Sequence, residues 1–410
     1  MGKMAKNIMV AQSGGPTVAI NASLAGVIEG AKKYFPNAKV YGSLNGIEGV
    51  LKERIVSLDS QVDTEEKISL LKQTPAMALG SCRYKMPTDE NDPVYDKIDG
   101  TFQKYDVGVF VYIGGNDSMD TVLRLKKYFG ERNRDVKVLG VPKTIDNDLL
   151  CTDHTPGFGS AAKYIATTMS EIASDCFIYD LDAVTIVEIM GRNAGFLTMA
   201  AAIPTFLGEY APQLVYLPER PVRKEKLIGD IKNALKKDRA VIVAVSEGVK
   251  TEDGEYLSAS MPDAFGHKQL SGASKVLEKI VKSEIGCKVR SIELNTPQRA
   301  AAHMASETDI EESFMLGEKA VLAASQGENG VVSVIKRISD EPYEIKIETE
   351  AVEGIANLEK KVPDEFINEE GNHITEAAYK YMAPLIAGER EITYKNSLPA
   401  KFKIDNTKLI

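Results

Sequence analysis

The sequence predicts an α/β protein of two doubly wound units followed by a C-terminal extension. Three observations carry this reading. Short apolar runs rich in Val and Ile, such as residues 107–113, recur along the chain, and each stops at a glycine or polar turn. Helical periodicity follows the turns, so strands and helices alternate as they do around parallel sheets. The 410 residues, 43% of them hydrophobic, suffice for more than one ordinary core. The expected boundaries are 1–155 for the first unit, completed by 296–330, then 156–295 for the second, with 331–410 as a structural or interface extension.

Composition narrows the function. A net charge of -9 argues against a general nucleic-acid binder. The four cysteines, Cys82, Cys151, Cys176 and Cys287, lack CxxC spacing, and four histidines without HExxH offer no familiar zinc site. No apolar run approaches the roughly 18 residues of a membrane span, and no signal-peptide core opens the chain. A cytoplasmic protein with reduced thiols and no membrane partner is expected.

Taken in order, residues 7–11 read as a strand, Gln12-Ser13-Gly14-Gly15-Pro16-Thr17 as a turn and 18–33 as a helix. This layout cradles phosphates, because glycine lets the backbone approach an anion and free N–H groups at a helix start face it. It also opens many doubly wound proteins, and no Walker lysine follows. Residues 39–41 read as a strand and 63–72 as a helix capped by Asp63, with Glu66 three residues on. Arg83 and Lys85 after Gly80 suit an anion or merely a solvated surface.

The run 107–113 predicts a central parallel strand ending in Gly114-Gly115-Asn116-Asp117-Ser118, with a helix from about Met119. Open α/β sheets place ligands at such strand ends. Asn116 or Ser118 equally serves as a helix cap. Residues 138–142 form the next strand, stopped by Pro142, and Lys143, Thr144, Asp146, Asn147 and Asp148 follow at once. If the chain stays extended, Thr144, Asp146 and Asp148 share one side, with Lys143, Ile145 and Asn147 opposite. Adjacent carboxyls raise each other's pKa and suit a proton acceptor beside a metal or water; Asp and Asn also form plain turns.

A helix over 160–175 and a strand over 183–190 precede Gly191-Arg192-Asn193, where Arg192 points to an anion. Strands at 214–217 and 240–245 flank a Lys-rich helix, Ser246-Glu247-Gly248 ends the second, and a strand at 286–294 leads to an alanine-rich helix near Pro297. Beyond Gly330 a hairpin (331–338 with 342–349) and a helix over 374–385 are expected, with no catalytic spacing.

Gly114-Gly115-Asn116-Asp117-Ser118, Pro142-Lys143-Thr144-Ile145-Asp146-Asn147-Asp148, Met190-Gly191-Arg192, Ser246-Glu247-Gly248 and Pro297-Gln298-Arg299 stand in this order. Together with Ser13-Gly14-Gly15-Pro16-Thr17 and Ile20-Asn21, they resemble the 6-phosphofructokinase family. The resemblance implies phosphoryl transfer to the 1-hydroxyl of fructose 6-phosphate with Mg2+. Asp146 resembles the proton acceptor, with Thr144, Ile145 and Asp148 beside it at the reacting hydroxyl and metal. Met190, Gly191 and Arg192 resemble the sugar-binding turn, Glu247 a partner of the sugar hydroxyls, and Arg299 a ligand of the 6-phosphate. Arg290 resembles an arginine that reaches the sugar phosphate of a neighbouring subunit, so a homodimer or homotetramer is implied. Gly14 and Arg83 match donor-phosphate contacts.

Family members that use ATP resemble one another in having glycines where this chain has Asp117 and Lys143. A carboxylate near a nucleotide's α-phosphate costs on the order of 4 kcal/mol, roughly a thousandfold in affinity. The lysine can instead bond a shorter donor, so the resemblance is to the diphosphate-dependent branch. An ATP-dependent enzyme would require Asp117 to turn aside, and a non-catalytic sugar-phosphate binder would be expected to lack Asp146. Asn116 replaces a metal-binding aspartate, so Mg2+ is expected on the Asn116 carbonyl, through water, or mainly on the diphosphate itself. Ala183 stands where ATP-using relatives offer a second arginine, and Thr296 where His or Tyr is common near the sugar.

Overall fold

A computed structural model describes residues 6–178, 180–258 and 272–410. Its strands fall into two principal sheets, as the alternation of elements predicts. The first has seven strands in the order β11-β10-β5-β4-β1-β2-β3. These are β1 (Asn7–Gln12), β2 (Val40–Ser43), β3 (Ile55–Ser57), β4 (Val107–Gly114), β5 (Lys137–Pro142), β10 (Val331–Asp340) and β11 (Tyr343–Ala351). The second is wholly parallel in the order β7-β8-β6-β9, with β6 (Ala183–Ile189), β7 (Leu214–Tyr216), β8 (Ala240–Ser246) and β9 (Lys288–Glu293).

β4 is buried at every position, which is what a continuous Val/Ile/Phe run between two helical layers requires. It lies between β1 and β5, parallel to both. The chain runs from β1 outward to β2 and returns to β4 on the other side of β1. The crevice where strand order reverses therefore opens at the carboxyl ends of β1 and β4, where the glycine turns lie. In the second sheet β6 has β8 on one side and β9 on the other, and the same argument opens a crevice beside Met190.

The helix Glu307–Ser325 ties the later chain to the first sheet by crossing the helix Ile20–Tyr34 at backbone distance. A Cβ on Gly26 would lie 2.0 Å from the Phe314 carbonyl oxygen, and one on Gly317 would lie 2.0 Å from that of Ser23. Only glycine on both sides allows that crossing.

Two expectations change. No helix starts at Pro297: two 3-10 turns, Thr296–Arg299 and Ala302–Met304, come first, and the helix begins after Ser306, whose hydroxyl accepts from the Asp309 amide at 3.3 Å. The helix Glu65–Gln73 is capped by Thr64, bonded to the Lys67 amide at 3.2 Å, while Asp63 pairs with the Lys67 ammonium. The C-terminal extension contributes strands to the first sheet. β10 pairs in parallel with β5 (Val331 with Leu139, Val332 with Gly140), and Val332 and Val334 are buried with Phe110 and Met119. Among the described residues no helix is long and apolar enough to cross a membrane.

Candidate active site

The end of β1 supplies an open glycine loop. Gly14 has φ +83°, a left-handed conformation, and a Cβ there would lie 3.0 Å from the Lys143 ammonium. Ser81 donates to the Gly14 carbonyl at 2.7 Å, which brings the segment holding Arg83 alongside. Arg83 is exposed, and its charge reaches Arg299. At the end of β4 the helix Asn116–Glu131 starts from Gly115 with no side-chain cap, so neither Asn116 nor Ser118 caps it. Asp117 is exposed in the first turn.

Asn116, expected beside a metal, has its amide bonded to the C-terminal segment. Its Nδ2 donates to the Leu358 carbonyl at 2.7 Å, and its Oδ1 accepts from the Asn357 amide at 2.5 Å. Among the described residues no cluster of three His, Cys, Asp or Glu side chains is poised to hold a metal ion.

Past Pro142 the chain does not stay extended, and the expected two-sided arrangement fails. Asn147 takes φ +57°, and the Lys143 amide remains tied to the Gly114 carbonyl at 2.9 Å. Lys143 is buried with its ammonium beside Gly14, acting electrostatically on Asp146 and Asp148 rather than facing away from them. Burial pushes it down to about 8, although the two carboxylates oppose that shift. Burial likewise raises Asp146, with Lys143 and Arg192 pulling it down. Asp148 is pushed up to about 7 by burial and by Asp146. Thr144 Oγ1 accepts from the Asp146 amide at 3.1 Å and lies 3.5 Å from its Oδ2. Ile145 is buried in the apolar cluster with Phe158 and Val187.

The crevice of the second sheet lies beside this loop. The Met190 amide donates to Gln298 Oε1 at 3.1 Å, and the Gly191 amide donates to Glu247 Oε1 at 3.3 Å. Ser246 Oγ donates to the Gly191 carbonyl at 2.5 Å. Burial pushes Glu247 up to about 7, with Asp146 adding to the shift and Arg192 opposing it. Arg299 is the junction of the two crevices: its Nη1 lies 3.5 Å from where a Gly15 Cβ would sit, and its charge acts on Lys143, Asp146 and Glu247. Its buried Nε has no hydrogen-bond partner. A buried guanidinium nitrogen in that condition fits an anionic guest.

Two predicted residues stand apart. Thr296 is exposed, and Gln298 rather than Thr296 bonds the Met190-Gly191-Arg192 turn. Arg290 projects from β9 to Asp175 at 3.0 Å and to Thr185 at 3.2 Å, so it does not join this chain's own cluster. Sequence reasoning missed Lys360 and Tyr381. Lys360 Nζ lies 3.3 Å from Asn147 Oδ1, and the Tyr381 hydroxyl accepts from Asn147 Nδ2 at 2.8 Å. Both come from the extension, more than 200 residues away in sequence, and no local pattern marks them.

Two glycine-lined strand ends, a cation-ringed pair of carboxyls and an arginine with one unsatisfied buried nitrogen suit an anionic, phosphorylated guest, and the chain belongs to the phosphofructokinase family, whose model matches residues 7–324. It is 40% identical over 405 residues to the pyrophosphate--fructose 6-phosphate 1-phosphotransferase of Halomonas elongata, covering 97% of this chain and 96% of that one. The Xanthomonas campestris pv. campestris protein of the same name is 40% identical over 406 residues, covering 98% and 96%. The crystal structure of a pyrophosphate-dependent phosphofructokinase from Nitrosospira multiformis superposes with a TM-score of 0.89 at 38% identity, covering 98% of this chain and 97% of that one.

Proposed function

We propose that this protein transfers a phosphoryl group reversibly between diphosphate and the 1-hydroxyl of fructose 6-phosphate, giving fructose 1,6-bisphosphate and inorganic phosphate. The observation that carries the choice of donor is the buried Lys143 ammonium packed against the Gly14 loop, with Asp117 exposed in the first turn of the helix after β4. Lysine fills space that a nucleotide would need and offers its charge to a short donor, while Asp117 opposes a third phosphate.

In this reading the sugar's 6-phosphate meets Arg299, whose Nε is otherwise unsatisfied. Its hydroxyls meet Glu247 and the turn Met190-Gly191-Arg192. Asp146, its proton affinity raised by burial, accepts the proton of the 1-hydroxyl as that oxygen attacks phosphorus. The new O–P bond forms as the bridging P–O bond breaks, and phosphate leaves with the electron pair. Lys143, Arg83 and Arg192 balance the charge spread over the transferred oxygens, which is where most of the acceleration arises.

The donor set suits a divalent cation that arrives on diphosphate. Asp148, raised by the nearby Asp146 charge, is the carboxyl that would help hold Mg2+, which needs few protein ligands. Bound there, the ion would neutralise donor charge. In the same reading residues 1–155 with 296–330 form the donor half, 156–295 form the sugar half, and a second copy brings Arg290 to the sugar phosphate in a homodimer or homotetramer.

A coupled assay of fructose 1,6-bisphosphate formation, run in parallel with diphosphate and with ATP, tests the reading. Turnover with diphosphate and not with ATP is expected. Turnover with ATP alone would overturn the donor assignment, and none with either would overturn the reaction.

A further inference from the structure

The segment 357–362 of the extension touches each part of the site. At the donor turn it bonds Asn116 through Asn357 and Leu358. At the sugar turn the Glu359 carboxylate accepts from Asn193 Nδ2 at 3.1 and 3.3 Å. At the catalytic loop the Lys360 amide donates to the Asp148 carbonyl at 2.7 Å.

The Lys360 side chain then turns inward beneath that loop. Its ammonium lies 2.7 Å from the Asp153 carbonyl oxygen, 3.3 Å from that of Thr152 and 3.3 Å from Asn147 Oδ1, over the Phe196 ring. Tyr381 closes the other side, accepting from Asn147 Nδ2 and donating to the Asp153 carbonyl, both at 2.8 Å. Asn147 is fully buried at φ +57°, a left-handed conformation that asparagine adopts more readily than other non-glycine residues. Both ends of its amide are held by the extension, and the flanking residues are Asp146 and Asp148.

We propose that Lys360 and Tyr381 are positioning residues for phosphoryl transfer, clamping Asn147 so that Asp146 and Asp148 keep their working orientation. This rests on the reading of Asp146 as the base. The extension is thereby part of the catalytic apparatus, and the clamp is distinct from substrate contacts because its partners are all groups of the chain itself.

Lys360→Met and Tyr381→Phe in the full chain test it. A misplaced base costs up to about 10²-fold, so kcat should fall by that order in Lys360→Met and by about 10-fold in Tyr381→Phe. The KM for fructose 6-phosphate should stay within about 3-fold of wild type, since uniform substrate binding is untouched. In an Asp146→Ser background Lys360→Met should add no further loss, because the base it places is gone. Hydrogen exchange of the ligand-free protein gives a readout independent of turnover: amides over 147–153 should lose protection in Lys360→Met while those of β4 do not. Wild-type kcat in both folded variants would overturn the proposal, as would a full additional loss in the Asp146→Ser background. Unchanged protection over 147–153 would overturn it even if the wild-type protein turned over neither donor.

Discussion

Two clusters of buried charge sit at either end of one loop, at 143–148 and at 153–154, and they follow opposite rules. Around His154 every charge is answered. Its Nδ1 is 2.8 Å from Asp153 and its Nε2 is 2.5 Å from Glu312; the other Glu312 oxygen accepts from the Tyr343 hydroxyl at 2.7 Å, and Arg337 pairs with Asp153 at 2.9 Å. Burial works against the imidazolium, yet Glu312 and Asp153 outweigh it and push His154 up to about 9. Around Asp146 the balance is left incomplete. Lys143 is pushed down, Asp146 and Asp148 are pushed up, and a buried Arg299 nitrogen has no partner. Buried charge closed on itself makes structure, whereas buried charge left unbalanced makes a site that an anionic substrate completes.

The largest effect is expected at Asp146, in the open cluster. Asp146→Ser should lower kcat by at least about 10²-fold while fructose 6-phosphate still binds, because a base contributes 10²–10⁴-fold. Steady-state rates beside direct titration of the sugar phosphate measure both, and retained turnover would remove Asp146 from the role.

Glu312→Gln attacks the closed cluster instead. Removing one partner of a buried pair costs about 3 kcal/mol, which should appear in denaturant unfolding with kcat in the folded enzyme nearly unchanged. The pH dependence has a definite sign. His154 has its folded value, about 9, above the ordinary 6.5, so its stabilisation is complete below about pH 6.5 and is lost as pH rises through 9. Glu312→Gln should flatten that decline, and an unaltered pH profile of stability would contradict the pairing.

A smaller effect of opposite sense is expected at Asp148. Its folded value, about 7, lies above the ordinary 3.8, so the neutral form is favoured and stability falls as pH rises from about 4 through 7. Asp148→Asn should therefore stabilise the ligand-free protein at pH 8 by about 1 kcal/mol while lowering turnover. Destabilisation by this change would show the carboxylate to be balanced after all.

Much of this was legible in the sequence because strand interiors covered on both faces, such as β4, leave continuous β-branched runs, and their glycine ends mark the crevices. What failed was local geometry set by distant contacts. The two-residue period past Pro142 assumed an extended chain, but Asn147 is left-handed and its side-chain amide bonds Lys360 and Tyr381, which no local pattern connects to it. Pro297 and its alanines read as a helix start, yet Gln298 is drawn to the Met190 amide and the chain makes 3-10 turns first. The side-chain amide of Asn116 is bonded to residues 357 and 358, a distant contact that its motif position does not announce.

Asp117 and Lys143 select the donor, and the double variant Asp117→Gly, Lys143→Gly, with kcat/KM for diphosphate and for ATP measured beside wild type, puts that selection to the test. The ratio of the two should fall by about 10²-fold or more, as a charge-assisted contact to diphosphate is lost and the repulsion near a nucleotide's phosphates is lifted. A ratio unchanged from wild type would show that Asp117 and Lys143 do not select the donor.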